Sequence, residues 1–335
     1  MRKNVYVFLI LLCSCSYSFE GVSMASRYSV KARRCITGKE NAARKVAAVM
    51  YSVDSGMSNW SPDSEVSKFN RTNPGVPFTV SPNLKRVVSE AFWVHAQTRG
   101  LFDPGIGELI EVWGFGVEKR GPPSDVEVQR ALVNSGRSAL SLEGNTIRKL
   151  RPVALNVTSI ADGFAVDLAA EAIDSDCNEF VVEAGGEVKA KGKWPLAIQH
   201  PLDPQRVLAT LDLEDLAAST SGINIKRDAF GKKLSHIISP ISGKPEGHAV
   251  SATVFGPQCI TADAVSTALI LTPETDLETT MSRFPGYSAV VVFEEEESLR
   301  MRFFGNVPDL RCVTPLTESL EKQGTGPGIP SRLCL

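Results

Sequence analysis

From residue 27 onward, apolar and polar positions alternate in short blocks, and the period of alternation changes from block to block. RYSVKARRC (27–35) predicts a strand, and KENAARKVAAVMYSVDSGMS (39–58) places Val46, Val49 and Met50 on one face of an amphipathic helix. A polar loop leads to a short strand near Phe78–Val80. SPNLKRVVSEAFWVHAQTRG then has Ser81 as N-cap, Pro82 in the first turn and Gly100 beyond the end, a helix punctuated at both termini. DVEVQRALVNSG is a further helix, and SALSLEG with TIRKL forms a hairpin. ALNVTSIADGFAVDLAAEAID predicts a strand, a turn and a helix beginning near Ser159. EFVVEAGG, WPLAIQHP and LATLDLEDLAAS read as strands, TADAVSTALILT as a helix, and SAVVVFEEEES with RMRFFG closes the sheet. Strands and helices mix without a regular βαβ repeat. The expected fold class is therefore α+β, as one compact two-lobed domain spanning residues 27–313.

The N-terminus follows a different pattern. Arg2 and Lys3 precede an apolar run from Val5 to Leu12, eight residues, well short of the roughly 20 that a membrane-spanning helix needs. The segment predicts a signal peptide over residues 1–15. Leu12-Cys13-Ser14-Cys15 resembles a bacterial lipobox, with Leu at −3, Ser at −1 and Cys15 at +1. Lipidation of Cys15 would anchor an exported protein to a bacterial membrane, on the periplasmic face. A plain secretory signal with two incidental cysteines is the other reading. Residues 16–26 then read as a tether, and the Gly/Pro-rich residues 314–335 as a disordered tail.

Composition narrows the function. The 335 residues are 43% hydrophobic and 22% charged, a globular balance. Lys and Arg (36) are offset by Asp and Glu (38) with no long basic run, which argues against a nucleic-acid partner. The seven cysteines contain no CxxC pair, so zinc ribbons and redox motifs are excluded; the odd count argues against a complete disulfide framework and leaves room for a single, unassigned bridge.

Four stretches carry candidate chemistry, each with a bland alternative. Ser55–Asn70 is polar and aromatic, either a ligand loop or a capped surface loop. Gly100–Gly116, GLFDPGIGELIEVWGFG, holds five glycines around a single Trp. Bare backbone there admits a flat ligand and Trp113 offers a stacking face, unless Trp113 is a core residue in a turn. In Asn156–Asp167, Ser159 and Asp162 sit at a helix start suited to phosphate or metal, although Asp162 also complements a helix dipole. Finally, SHIISPISGKP contains His236, one of four histidines, and ITADAVSTAL places Asp263 and Thr267 on one helix face. Two hard oxygens at that spacing suit Mg²⁺; a back-bonded Thr on an ordinary helix is the alternative.

Taken in order, GMSNW…SEVSKFN, FDPGIGELIEVWGFG, NVTSIADGFAVD, VEAGGEVKAKGKWPLAIQHP, STSG, SHIISPISGKP and TADAVSTAL resemble the ApbE family of FAD:protein FMN transferases, from about residue 34 to about residue 272. The resemblance implies a T-fold-like domain with FAD in a cleft between its lobes. It places Met57, Trp113, Gly114, Phe115, Gly116, Asn156, Asp162 and Ile237 at FAD-contacting positions, and Ser159, Asp263, Ser266 (through its backbone) and Thr267 around Mg²⁺. Gly185-Gly186 matches paired glycines near the ligand. His236, with Asp162 as the alternative base, would handle the proton. Three positions depart from the family: Asn156 replaces a usual Asp, Asp162 a usual Lys or Glu, and Ser239-Pro240 a usual Asp-Pro. The implied reaction is Mg²⁺-dependent transfer of FMN from FAD to a Thr hydroxyl of an exported acceptor flavoprotein, such as a subunit of a membrane electron-transport complex, with release of AMP. Hydrolysis of FAD to FMN and AMP, and flavin binding without catalysis, are the alternatives.

Overall fold

The computed structural model describes residues 15–24, 26–116, 122–223, 226–227, 233–296 and 298–313. In the first half the elements are β1 (Cys15–Ser23), β2 (Ser26–Cys35), α1 (Lys39–Met57), α2 (Glu65–Asn70), β3 (Phe78–Thr79), α3 (Pro82–Gln97), α4 (Gly107–Val112) and α5 (Asp125–Val133). β4 (Leu140–Glu143), β5 (Thr146–Lys149), α6 (Thr158–Asp174), β6 (Cys177–Ala184), β7 (Glu187–Lys191), β8 (Lys193–Gln199), β9 (Val207–Glu214) and β10 (Ala217–Gly222) follow. The remainder is β11 (Lys226–Arg227), β12 (Lys233–Leu234), β13 (Ser251–Gly256), α7 (Cys259–Leu271), α8 (Leu277–Met281), β14 (Ser288–Glu295), β15 (Ser298–Phe304) and β16 (Arg311–Cys312).

The centre is an eight-stranded antiparallel sheet in the order β1-β2-β6-β7-β10-β13-β14-β15. Period-two patterning gives its strands two buried faces. Along β10, Ala217 joins the large core under α6 and α7, whereas Ala218 joins a second core with Trp194, Leu211 and Phe255, beneath the small sheet β16-β9-β8. A third sheet, β3-β5-β4, and helices α4 and α5 complete the domain. The α+β expectation therefore holds.

The Ser81 cap acts as the sequence predicts: Ser81 Oγ accepts the Leu84 N–H and starts α3 at Pro82. Two further caps appear in the structure, where Ser64 Oγ accepts Ser67 N–H at the head of α2 and Ser124 with Glu127 forms a capping box on α5. Val46 and Met50 are buried along α1 and Val49 packs against the same core.

Two expectations are corrected. Residues 16–26 are not a tether over their length: β1 begins at Cys15 and pairs with β2 from Cys15↔Cys35 to Ser23↔Ser26. Phe19 buries against the core, and that apolar contact together with a ladder continuous from Tyr17↔Ala32 to Ser23↔Ser26 holds the segment in the sheet. The strand expected at the start of ALNV does not form. Its backbone is taken by side chains instead, since Leu155 donates its N–H to Asn70 Oδ1 and its carbonyl accepts from Asn59 and Asn70 Nδ2. The signal segment through residue 14 and the tail 314–335 lie outside the described residues.

The expectation of a single bridge is corrected too, because there is more than one: Cys35 and Cys177, opposite each other on β2 and β6, form a disulfide. Cys312 is disulfide-bonded as well, while Cys259 is a free, buried thiol.

The two central helices are apolar on nearly every side, and every residue of α7 is buried except Thr267. A helix this enclosed cannot leave its terminal N–H groups to water. Its own N-cap, Gln258, supplies no side-chain bond. Asp167 of α6 does so from outside, with Oδ1 accepting Cys259 N–H at 3.0 Å and Oδ2 accepting Ile260 N–H at 2.9 Å. Replacing Asp167 by Ala strands both donors in the core. The expected loss is about 1–3 kcal/mol of unfolding free energy, read from urea denaturation, with Asp167→Asn falling in between.

Candidate functional site

Helices α6 and α7 cross in contact at Gly163. A Cβ there would lie 2.5 Å from the Cys259 carbonyl oxygen and 2.8 Å from Asp263 Cβ, so only glycine allows the approach. The approach brings Gly163 N–H to Asp263 Oδ2 at 3.0 Å. One turn earlier Ser159 departs from helical geometry (φ −85°, ψ 21°), a kink in the first turn of α6. Asp162 follows on the next turn, with Asp54 of α1 acting on it electrostatically.

Opposite these groups, β7 and β10 present polar side chains toward α7. Glu187 and Ser219 are cross-strand neighbours, and Ser219 Oγ donates to Glu187 Oε1 at 3.1 Å. Two residues on, Ser221 Oγ lies 2.7 Å from Ser266 Oγ and 3.1 Å from Thr267 Oγ1. The hairpin turn Gly185-Gly186 closes the rim, both residues having positive φ (69° and 122°) as a two-residue turn requires. A Cβ on Gly185 would stand 2.9 Å from Glu187 Oε2 and 3.6 Å from Asp162 Oδ2, so the turn sits between two carboxylates.

Burial, and after it neighbouring acids, raise the pKa of all three carboxyls. Burial first and then the Asp162 charge push Asp263 up to about 8. Burial and then Asp54 push Asp162 up to about 6. Glu187 is driven well above the carboxylate range by burial, then by Asp263 and Asp162. Buried carboxylates held against each other are stabilised by a cation, and hard oxygens select a hard one. Among the described residues no group of three or more His, Cys, Asp and Glu side chains converges as a metal cluster. The expected ligands for a cation here are the Asp263 carboxylate with hydroxyl and main-chain oxygens of Ser159, Ser266 and Thr267. The donor set fits Mg²⁺, which keeps waters and few protein ligands.

The other sequence candidates fall around this pocket or outside it. Asn156 is buried, and its Oδ1 accepts Thr158 N–H and Oγ–H at the head of α6. Met57 is buried at the end of α1. Ile237 is buried beside the exposed His236, its N–H bonded to Ser235 Oγ. Ser239, standing where an Asp was expected, receives N–H groups from Ile241 and Ser242 on its Oγ, the turn-forming role a short acid would fill.

The glycine-rich stretch serves mainly the protein itself. Trp113–Gly116 is a Schellman cap on α4: Phe115 N–H bonds Ile110 carbonyl, Gly114 N–H bonds Glu111 carbonyl, and Gly114 takes φ 71°. The Trp113 indole N–H is spent on the Gly243 carbonyl at 2.7 Å, and its ring packs with Leu109, Val128 and Ile238. A Cβ on Gly105 or Gly107 would strike Gly136 or Ala154 at 2.7 Å. Three chain segments thus meet there, and Pro104 carbonyl takes Asn156 N–H. Sequence reasoning passed over Glu187, Ser219, Ser221 and Gly163; the STSG and AGGE runs were visible, but nothing local marks them as neighbours of Asp263.

What fold and pocket define together is a class: an α+β domain centred on one antiparallel sheet, with an acid-and-hydroxyl pocket between two buried helices and the sheet. The ApbE family pattern matches residues 24–291, and the chain belongs to the ApbE family. An FAD:protein FMN transferase of Vibrio cholerae is 33% identical over 79% of this chain and 86% of its own length. One from Haemophilus influenzae is 33% identical over 77% and 81%. Among solved structures, the flavin transferase ApbE from Vibrio cholerae superposes with a TM-score of 0.78 at 28% identity, covering 87% of this chain and 97% of that one. The apo flavinyl transferase ApbE of Pseudomonas stutzeri does so with 0.78 at 29%, covering 87% and 95%.

The carboxylate pocket gives a pH dependence. Both folded values, about 6 for Asp162 and about 8 for Asp263, exceed the ordinary 3.8, so the folded state holds protons that the unfolded chain releases. Their contribution to stability is full below 3.8 and is lost as pH rises through about 6 and about 8. In EDTA, the urea midpoint should fall over this window, and Asp263→Asn should flatten the fall. Urea titrations at a series of pH values check it.

Proposed function

We propose that this protein is an Mg²⁺-dependent FAD:protein FMN transferase that moves FMN from FAD to a Thr hydroxyl of an exported acceptor protein and releases AMP. The observation that carries the reading is the buried Asp263 beside Thr267, repelled by neighbouring acids and offered as a hard-oxygen site, in a chain whose relatives bear the name of that activity.

In this reading FAD is a substrate. Asp263, Thr267, Ser266 and Ser159 hold Mg²⁺, which would supply neutralisation of charge on the pyrophosphate. Met57, Asn156, Asp162, Ile237 and the Trp113–Gly116 cap border the flavin nucleotide. Because the Trp113 N–H is engaged by Gly243, Trp113 contributes ring surface there and no hydrogen bond. The acceptor Thr oxygen forms a bond to the FMN-side phosphorus as the bridging P–O bond breaks, and AMP leaves with the electron pair. The Thr proton passes to His236 or, alternatively, to Asp162, whose raised pKa near 6 suits a base at neutral pH. A lipid on Cys15 would sit at the first residue of β1 and hold the domain directly at the periplasmic face of a membrane. The Cys35–Cys177 disulfide suits such an oxidising compartment.

The test is the intact mass of a Thr-containing acceptor domain incubated with FAD, Mg²⁺ and the protein. An FMN adduct is expected that disappears with EDTA and in Asp263→Ala, and slows on the order of 100-fold or more in His236→Ala. FAD converted to FMN and AMP with no adduct would establish the hydrolase instead, and bound FAD that never turns over would leave a flavin-binding protein. His236→Ala retaining most of the rate would pass the base role to Asp162.

A further inference from the structure

The hydroxyls between β10 and α7 form a chain whose direction can be read from proton counting, because each Ser or Thr hydroxyl has one proton to give. Ser266 Oγ donates to the main-chain carbonyl of Asp263 at 2.9 Å. Having spent its proton, Ser266 can only accept at its 2.7 Å contact with Ser221 Oγ. Ser221 is therefore the donor there, and at its 3.1 Å contact with Thr267 Oγ1 it can only accept. Thr267 must be the donor in that pair. Ser219 gives its proton to Glu187 Oε1 and stays outside the sequence, 3.5 Å from Ser266.

This order matters at the one partly exposed position of α7. A hydroxyl ligates a cation through its oxygen lone pairs with its proton turned away. A Thr in a helix would ordinarily turn that proton onto a carbonyl one turn back, and the oxygen would follow the rotamer this sets. Here the Asp263 carbonyl, one turn back from Thr267, is already engaged by Ser266, and the nearby acceptor is Ser221 on the strand.

We propose that Ser221 is a positioning residue for the cation site: it takes the Thr267 proton into the chain Thr267→Ser221→Ser266→Asp263 carbonyl and so fixes the Thr267 oxygen as an acceptor-only ligand aimed away from the sheet. The inference rests on the cation reading of Asp263 and Thr267 and adds the group that orients the second of them. The expected magnitude is that of outer-shell partners of metal ligands, about 10-fold or more in metal affinity. Ser221 touches neither cation nor substrate, so the rate at saturating metal should survive its loss.

The experiment uses the full-length protein in detergent, with Mn²⁺ as a spectroscopic substitute for Mg²⁺ and no FAD present. Free Mn²⁺ is counted by its EPR signal during titration. Ser221→Ala should weaken Mn²⁺ binding about 10-fold, Ser221→Thr should restore it, and melting in EDTA should match the wild type for both. In turnover, Ser221→Ala should raise the Mg²⁺ concentration for half-maximal rate while leaving the maximal rate within about 3-fold, a small fraction of the loss expected for a ligand. Wild-type Mn²⁺ affinity in a folded Ser221→Ala protein would overturn the proposal. If Ser221→Ala does not fold, the near-isosteric Ser221→Cys, a poor acceptor, decides by the same titration. Asp263→Ala separates the two levels. If it abolishes Mn²⁺ binding while Ser221→Ala and Ser221→Cys bind normally, only the positioning role falls; if Asp263→Ala binds normally, the cation site and this inference fall together.

Discussion

The contact between α6 and α7 at Gly163 is the constraint around which the rest is arranged. Two helices that are apolar on almost all sides can be buried side by side beneath a sheet only if their few polar groups find partners in one another. Gly163 removes the Cβ that would hold them apart, its N–H reaches Asp263, and Asp167 of α6 closes the head of α7. The same crossing that completes the core also brings Asp263 to the first turns of α6, within electrostatic reach of Asp162. Packing and site geometry are here one event.

The pocket that results is electrostatically expensive. Burial raises the pKa of Asp162, Glu187 and Asp263 most, and repulsion adds to it: Asp54 acts on Asp162, Asp162 on Asp263, and both Asp263 and Asp162 on Glu187. A fold selected for stability alone has no use for such an arrangement. Buried, shifted carboxylates of this kind cluster at functional sites, and the proposed cation site draws on one of them, Asp263. The sheet contributes the complementary part: the inward side of β10 carries Ala217, Ser219 and Ser221, so the strand changes from core to hydroxyl surface as it approaches the rim.

Around this centre, the glycine-rich stretch acts as a junction rather than as an open floor. Gly105 against Gly136 and Gly107 against Ala154 bring three loops into backbone contact, and Gly114 ends α4 in a Schellman turn. The chain leading into α6 is held there by Asn59, Asn70 and the Pro104 carbonyl, which is why it does not extend as a strand. Of the two readings of Trp113, the structure bears out the core residue, through its ring contacts and its bond to Gly243.

Features that depend on near neighbours are legible in the residues alone. Helix starts at Ser64, Ser81 and Ser124, the buried face of α1, the Gly185-Gly186 turn and the one-face pairing of Asp263 with Thr267 all follow from caps, periods and turn chemistry acting within a few residues. The ordered motifs further indicated the family. Only the tertiary structure decided which distant residues share the pocket. Gly163 bonds Asp263 across 100 residues, Asp167 reaches Cys259 across 92, and Ser221 meets Thr267 across 46. It also decided that residues 16–23 are an edge strand and that ALNV is not one. The reason is physical: a cap or a turn is fixed by local geometry, whereas a shared buried site exists only once the sheet has set its register and the two helices have closed at their glycine.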